Sequence, residues 1–165
     1  MSLTKALDIR VADEVWLIMA LLHREHPDRN DFTVEEIVER ARREAVNGKL
    51  RPGVYVHVVQ HCVANRAPNP GRYRMLVETR KNHRRLFRPG DSYDMRREGS
   101  KITPDREDIP SKYISLLDWY TREYAPRRPG EAQEDPLLAL RGSGRKLWAD
   151  EHADAYVRRL REGWE

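Results

Sequence analysis

The first fifty residues alternate apolar and polar positions at helical spacing. Val11, Val15, Ile18, Met19 and Leu22 form one stripe of a 3.6-residue period, widened by Trp16 and Leu21, and predict a helix over 8–25. Asp8 or Asp13 suits its start and Pro27 ends it. His26–Asp31 is polar and reads as a connection. A second helix is predicted over 33–47. Its signature is Thr33-Val34-Glu35-Glu36, a capping box in which the Thr33 hydroxyl accepts from the Glu36 amide while the Glu36 carboxylate reaches back. Phe32 is placed to staple onto Ile37 or Val38. Val34, Ile37, Val38, Ala41 and Ala45 make the apolar face, and Gly48 offers a left-handed stop.

Residues 52–65 admit two readings. The valine-rich run suits a strand. Pro52 equally suits the first turn of a helix, on which Val54, Val58, Cys62 and either His61 or Asn65 share a face. The segments that follow favour the helix. Residues 71–79 alternate Tyr73, Met75 and Val77 with Arg72, Arg74 and Leu76. Residues 80–84 form a polar, basic turn, residues 85–88 return, and Pro89-Gly90 closes the unit, which predicts a hairpin with a basic tip. Residues 65–71 lead into it as a loop. The order helix, helix, helix, hairpin resembles a winged helix-turn-helix over about residues 8–90. The resemblance makes 53–65 the recognition helix and 72–88 the wing.

Beyond the hairpin, residues 91–107 are polar and irregular. Tyr113, Leu116, Leu117, Tyr120 and Tyr124 mark a helix over 110–124, opened by Pro110, that either packs back on the domain or makes a dimer. Residues 126–136 are rich in proline and charge and predict a flexible linker. In the tail, Asp135, Pro136 and Gly142 are a cap, a first residue and a stop around Leu137, Leu138 and Leu140. Ala153, Tyr156, Val157, Leu160 and Trp164 form a narrow stripe on a last helix from about 150 to 162. Helices this short are marginal alone in water. They fit a segment that folds on a partner, the alternatives being its own domain or a second copy.

Composition sharpens this division. The chain has 165 residues, enough for one domain with an appendage. Hydrophobic residues at 39% and charged residues at 35% leave part of it outside a core. No apolar run spans a membrane, no basic-then-apolar leader stands at the start, and a single cysteine, Cys62, rules out an internal disulfide framework. The expected location is the cytoplasm. The net charge of +4 is unevenly placed. Residues 51–100 hold 11 Lys/Arg against 4 Asp/Glu, whereas residues 1–50 and 131–165 are each net −2. A localised basic segment is the footprint of phosphate-backbone binding.

For duplex DNA, the candidate reading residues are Tyr55, His57, Gln60, His61 and Asn65. Arg72, Arg74, Arg80, Lys81, Asn82, Arg84 and Arg85 are the candidates for the backbone or the minor groove. His57-x3-His61 beside Cys62 has a spacing that metal ligands use, but no third and fourth ligand stands at a matching distance, so no metal or cofactor is expected. Neither a phosphate-binding glycine loop nor a placed nucleophile and base is found, and the chain is not expected to be an enzyme.

The tail carries a second resemblance. Gly142-Ser-Gly-Arg-Lys-Leu-Trp-Ala-Asp150 followed by Asp154-Ala-Tyr-Val-Arg-Arg-Leu-Arg-Glu-Gly-Trp164 resembles the toxin-binding tail of VapB-type antitoxins, whose partners are PIN-domain ribonucleases. The resemblance implies a tail that wraps the toxin and sets a basic side chain against its acidic, magnesium-binding residues. Arg145, Lys146, Arg158, Arg159 and Arg161 are the basic candidates, because an arginine fork suits carboxylates. Leu137, Leu138, Leu140, Leu147, Trp148, Tyr156, Val157, Leu160 and Trp164 are the anchors. The first 125 residues depart from that family, which usually carries a ribbon-helix-helix or swapped hairpin there. The sequence therefore predicts an α+β, mostly α chain: a winged-helix domain over 1–125, a linker over 126–136 and a toxin-binding tail over 137–165. Its partners would be DNA and a ribonuclease toxin, in a homo- or hetero-oligomer. The alternative is a stand-alone winged-helix regulator that dimerises through its tail.

Overall fold

A computed structural model describes residues 8–127 and, further on, Arg158 and Arg161. The chain divides into two units, Met1–Pro129 and Gly130–Glu165, and the elements described below belong to the first. It is a mixed α+β structure of helices around a small antiparallel sheet. Among the described residues no helix is long and apolar enough to cross a membrane.

The first helix, α1 (Val11–Glu25), is the centre of the unit. Ala12 through Ala20, Leu22 and His23 are all buried, because the later helices and the hairpin pack around it. It starts three residues later than the periodicity suggests. Arg10 stands at its N-cap without a side-chain bond, and Asp13, offered by the sequence as a cap, is fully buried instead. Burial raises the pKa of the Asp13 carboxyl, so its neutral form is favoured.

Phe32–Thr33 forms a two-residue strand, β1, that runs directly into α2 (Val34–Glu44). The capping box forms as the sequence predicts: the Glu36 amide donates to Thr33 Oγ1 at 3.1 Å, and the Thr33 amide donates to Glu36 Oε2 at 2.8 Å. The helix ends earlier than expected. Ala45 takes the left-handed conformation at its C-cap, with φ 47°, and Gly48 is left-handed as expected, with φ 81°, but three residues past that cap. The reversal is complete there because the Ala45 amide donates to the Ala41 carbonyl and the Gly48 amide to the Ala45 carbonyl.

The ambiguous valine-rich segment is helical. Gly53–Val56 is an α-turn and continues as a wider π-turn over His57–His61, with the Cys62 amide donating to the His57 carbonyl at 3.0 Å; the two together are α3. Packing overrides the strand propensity, since Val54, Val58 and Cys62 fall on one helical face and are fully buried. The helix is shorter than the predicted 53–65 because the Cys62 carbonyl turns to accept from Met75 N and Leu76 N.

The hairpin consists of β2 (Leu76–Arg80) and β3 (His83–Leu86), and the sheet order is β1-β3-β2, all antiparallel. The turn is two residues, Lys81–Asn82, with Asn82 at φ 64°. Both differ from the expectation of a five-residue basic tip over 80–84. The predicted inward alternation also fails at Leu76, which is buried along with Met75 and Val77. Here the chain is covered on both sides, because Leu76 forms a parallel bridge to Val63 just beyond α3.

Residues 87–110 cross the surface in short turns and are tied down by Arg97. This fully buried guanidinium donates to six backbone carbonyls, those of Gln60, His61, Arg66, Ala67, Gly71 and Tyr73, at 2.7–3.3 Å. It gathers the end of α3 and the loop after it into one knot. The last helix, α4 (Ile114–Trp119 with a π-turn over Tyr120–Tyr124), packs back on the unit, the first of the two roles its stripe allows. Tyr120 and Tyr124 donate their hydroxyls to the Phe87 and Leu86 carbonyls, and Trp16 meets Tyr120 edge-on.

Candidate nucleic-acid interface

The elements expected to meet DNA are α3 and the β2–β3 hairpin. Their positions are fixed from below. Arg51, just before Pro52, donates to the fully buried Glu14 carboxylate from Nε at 2.7 Å, which pins the start of α3 to α1. The hairpin tip is pinned to α2. Val34 N donates to the Asn82 carbonyl at 3.0 Å, Asn82 Nδ2 donates to Glu35 Oε2 at 2.6 Å, and Thr79 Oγ1 donates to Asp31 at 2.7 Å. Asn82, offered as a DNA contact, thus serves the turn and its anchorage.

Several other candidates are likewise used within the fold. Arg84 is buried: its Nε donates to the Val58 carbonyl and its Nη1 pairs with Glu78 at 3.1 Å, so it braces α3 against the sheet. Burial lowers its pKa, which the Glu78 charge opposes. Arg85 forms a two-pronged pair with Asp91 at 2.7 and 2.8 Å. Burial would raise the Asp91 pKa, but the bonds from Arg85 and from the Arg88 amide hold it below the usual carboxylate value. Arg74 donates to the Ser100 carbonyl and lies 4.5 Å over the Tyr93 ring. These arginines face inward because the irregular segments after α3 leave carbonyls and acids that need donors.

The reading residues are divided in the same way. Gln60 donates its amide to the Ala67 carbonyl. Asn65 lies past the helix end and exchanges two bonds with the Glu78 backbone, 2.9 Å each. His57 Nδ1 sits 2.8 Å from the Gly53 carbonyl, and its pKa is lowered by burial. His61 is half-buried, its ring 4.9 Å from that of His57 and packed where a side chain on Gly71 would clash. Among the described residues no three His, Cys, Asp or Glu side chains gather as they would around a metal ion. Cys62 is fully buried in the core.

Of the candidates, Tyr55 on α3, Asn65 and Arg72 before β2, and Arg80, Lys81 and Asn82 at the hairpin tip are exposed; Asn65 and Asn82 commit their amides to Glu78 and Glu35. Arg80 reaches Asp31 at 3.6 Å but remains two-thirds exposed. Sequence reasoning missed Val56, which also projects from α3. Its signal was available: it lies opposite the buried Val54, Val58 and Cys62 on the helical wheel. A groove of about 350 Å³ lies between α2 and Tyr55, lined by Val34, Glu35, Val38, Glu39 and Arg42. The tail anchors and cations Leu137, Leu138, Leu140, Arg145, Lys146, Leu147, Trp148, Tyr156, Val157, Arg159, Leu160 and Trp164 lie outside the described residues, as does all but the start of the 126–136 linker. Arg158 and Arg161 are exposed. In comparisons with protein-family models, with curated proteins and with solved structures, nothing matches the chain.

Proposed function

We propose that the chain is an antitoxin-type regulator. Its first unit is a winged-helix module that docks on duplex DNA, and its tail neutralises a PIN-domain ribonuclease. The observation that carries the first half is topological. The order α1-β1-α2-α3-β2-β3, with the short β1 pairing to β3 of the hairpin, supports a winged-helix reading. In that arrangement α3 faces the major groove and the hairpin reaches along the backbone. The exposed cations Arg72, Arg80 and Lys81 remain to contact phosphates.

The second half rests on the tail motif, with Leu147, Trp148, Tyr156, Val157, Leu160 and Trp164 as anchors and a cation from Arg145, Lys146, Arg158, Arg159 or Arg161 at the ribonuclease's acidic site. The test is a tagged full-length chain recovered from its native host, with co-purifying proteins assayed for magnesium-dependent RNA cleavage. A ribonuclease held inactive in the complex, and lost from Trp148→Ala and Tyr156→Ala variants, is the expected outcome. Recovery of no ribonuclease, or equal recovery by both variants, overturns the antitoxin reading.

A further inference from the structure

On the DNA-binding reading, on which this inference rests, the side chains of α3 decide which base edges are read. The fold engages the polar candidates other than His61, whose half-buried ring packs against His57 and Gly71. Gln60 is bonded to the Ala67 carbonyl, His57 Nδ1 faces the Gly53 carbonyl, and both ends of the Asn65 amide are engaged by the Glu78 backbone. The bidentate reading of adenine that Gln and Asn offer is therefore not available from these positions. What projects from the N-terminal half of α3, the half that meets bases in helix-turn-helix docking, is Tyr55, 58% exposed, and Val56, 43% exposed.

A valine side chain neither donates nor accepts a hydrogen bond. In the major groove of unmodified DNA the one apolar group it can recognise is the thymine 5-methyl; the other base pairs present polar edges there. The charge around these two residues suits a polyanion. Lys49 is exposed in the loop that leads into α3, and Lys81 is exposed at the hairpin tip. Of the acids that line the groove beside Tyr55, Glu39 is paired with Arg42 and Glu35 is bonded to Asn82.

We infer that α3 reads duplex DNA through thymine 5-methyl groups set against Tyr55 and Val56, so that the chain selects sites with thymine under the start of this helix. The experiment uses the full-length chain and four short duplexes at one fixed salt concentration: an A·T-rich sequence, the same sequence with uracil in place of every thymine, and a G·C-rich sequence with cytosine or with 5-methylcytosine. Uracil is expected to weaken binding about fourfold per methyl in contact. 5-Methylcytosine is expected to strengthen binding to the G·C duplex by a similar factor. Val56→Ser, an exposed substitution whose folding is checked by circular dichroism, is expected to reduce the preference for thymine over uracil, leaving the share that Tyr55 supplies. Salt-dependent binding that is equal for thymine and uracil overturns the inference and leaves the DNA-binding reading standing. Binding to none of the four duplexes at low salt overturns both.

Discussion

At the scale of single residues, two buried cationic or titratable groups hold the unit together and give measurable consequences. Arg97 satisfies six carbonyls with no acid hydrogen-bonded to it, and two of them, from Gln60 and His61, belong to the end of α3, where the helix dipole favours a cation. Arg97→Met leaves these acceptors buried and unpaired, and is expected to cost about 3–5 kcal/mol in urea unfolding. Arg97→Lys recovers little of that, because an ammonium cannot span a fork of carbonyls. His23 is the second group. Its Nε2 accepts from the Leu86 amide at 3.2 Å, its ring meets Phe32 and Tyr124, and burial, reinforced by Arg88 and Arg85, lowers its pKa from 6.5 to about 3. A folded-state pKa below the unfolded one means that the unfolded chain binds the extra proton. The stability is fully present above pH 6.5 and declines as pH falls from there toward 3, by about 1.4 kcal/mol per pH unit. A His23→Gln variant, measured beside the parent between pH 6.5 and 4, should show a slope smaller by that amount. An identical slope would mean that His23 is not the titrating group.

At the scale of elements, the sequence was most legible where local chemistry decides the structure and least legible where distant chain does. The capping box at Thr33 and Glu36 and the stripes of α1, α2 and α4 could be read because spacing and hydrogen-bond valence act within a few residues. The length of α3 and the start of β2 could not, because both are set by the Cys62 carbonyl accepting from Met75 and Leu76, and by Arg97 beyond them. The end of α2 was misplaced for a different reason. Gly48 is the better left-handed residue by propensity, yet the chain reverses at Ala45, where Val46 and Leu50 can reach the core. An alanine at φ 47° carries a steric cost that glycine does not. Ala45→Gly is therefore expected to raise stability by about 0.5–1 kcal/mol, read as a higher midpoint in thermal unfolding. A lower midpoint would show that the alanine methyl contributes more to packing than the conformation costs.

At the scale of the whole molecule, the question is what the basic excess of residues 51–100 is for. Taken as a sum, 11 cations against 4 acids reads as a surface for a polyanion. Residue by residue, much of it faces inward: Arg51 meets Glu14, Arg66 and Arg84 meet Glu78, Arg85 meets Asp91, Arg88 donates to the Tyr124 carbonyl, and Arg97 ties the loop after α3. The composition was legible and its use was not, since charge counts do not distinguish a guanidinium that binds phosphate from one that satisfies carbonyls. The DNA reading therefore depends on the few cations left outside, and these make a quantitative claim. Each phosphate contact contributes a slope of about −0.9 to the logarithm of the affinity against the logarithm of the salt concentration. Arg80→Ala and Lys81→Ala should each make the slope shallower by about that amount on any duplex sequence, and the double variant by about twice as much. Arg96, exposed but paired with Asp94 at 2.9 Å, supplies the contrast: Arg96→Ala should leave the slope as it is. If Arg80→Ala and Lys81→Ala leave the slope unchanged on DNA that is still bound, the hairpin tip touches no phosphate, and the contacts lie with cations elsewhere, such as Arg72.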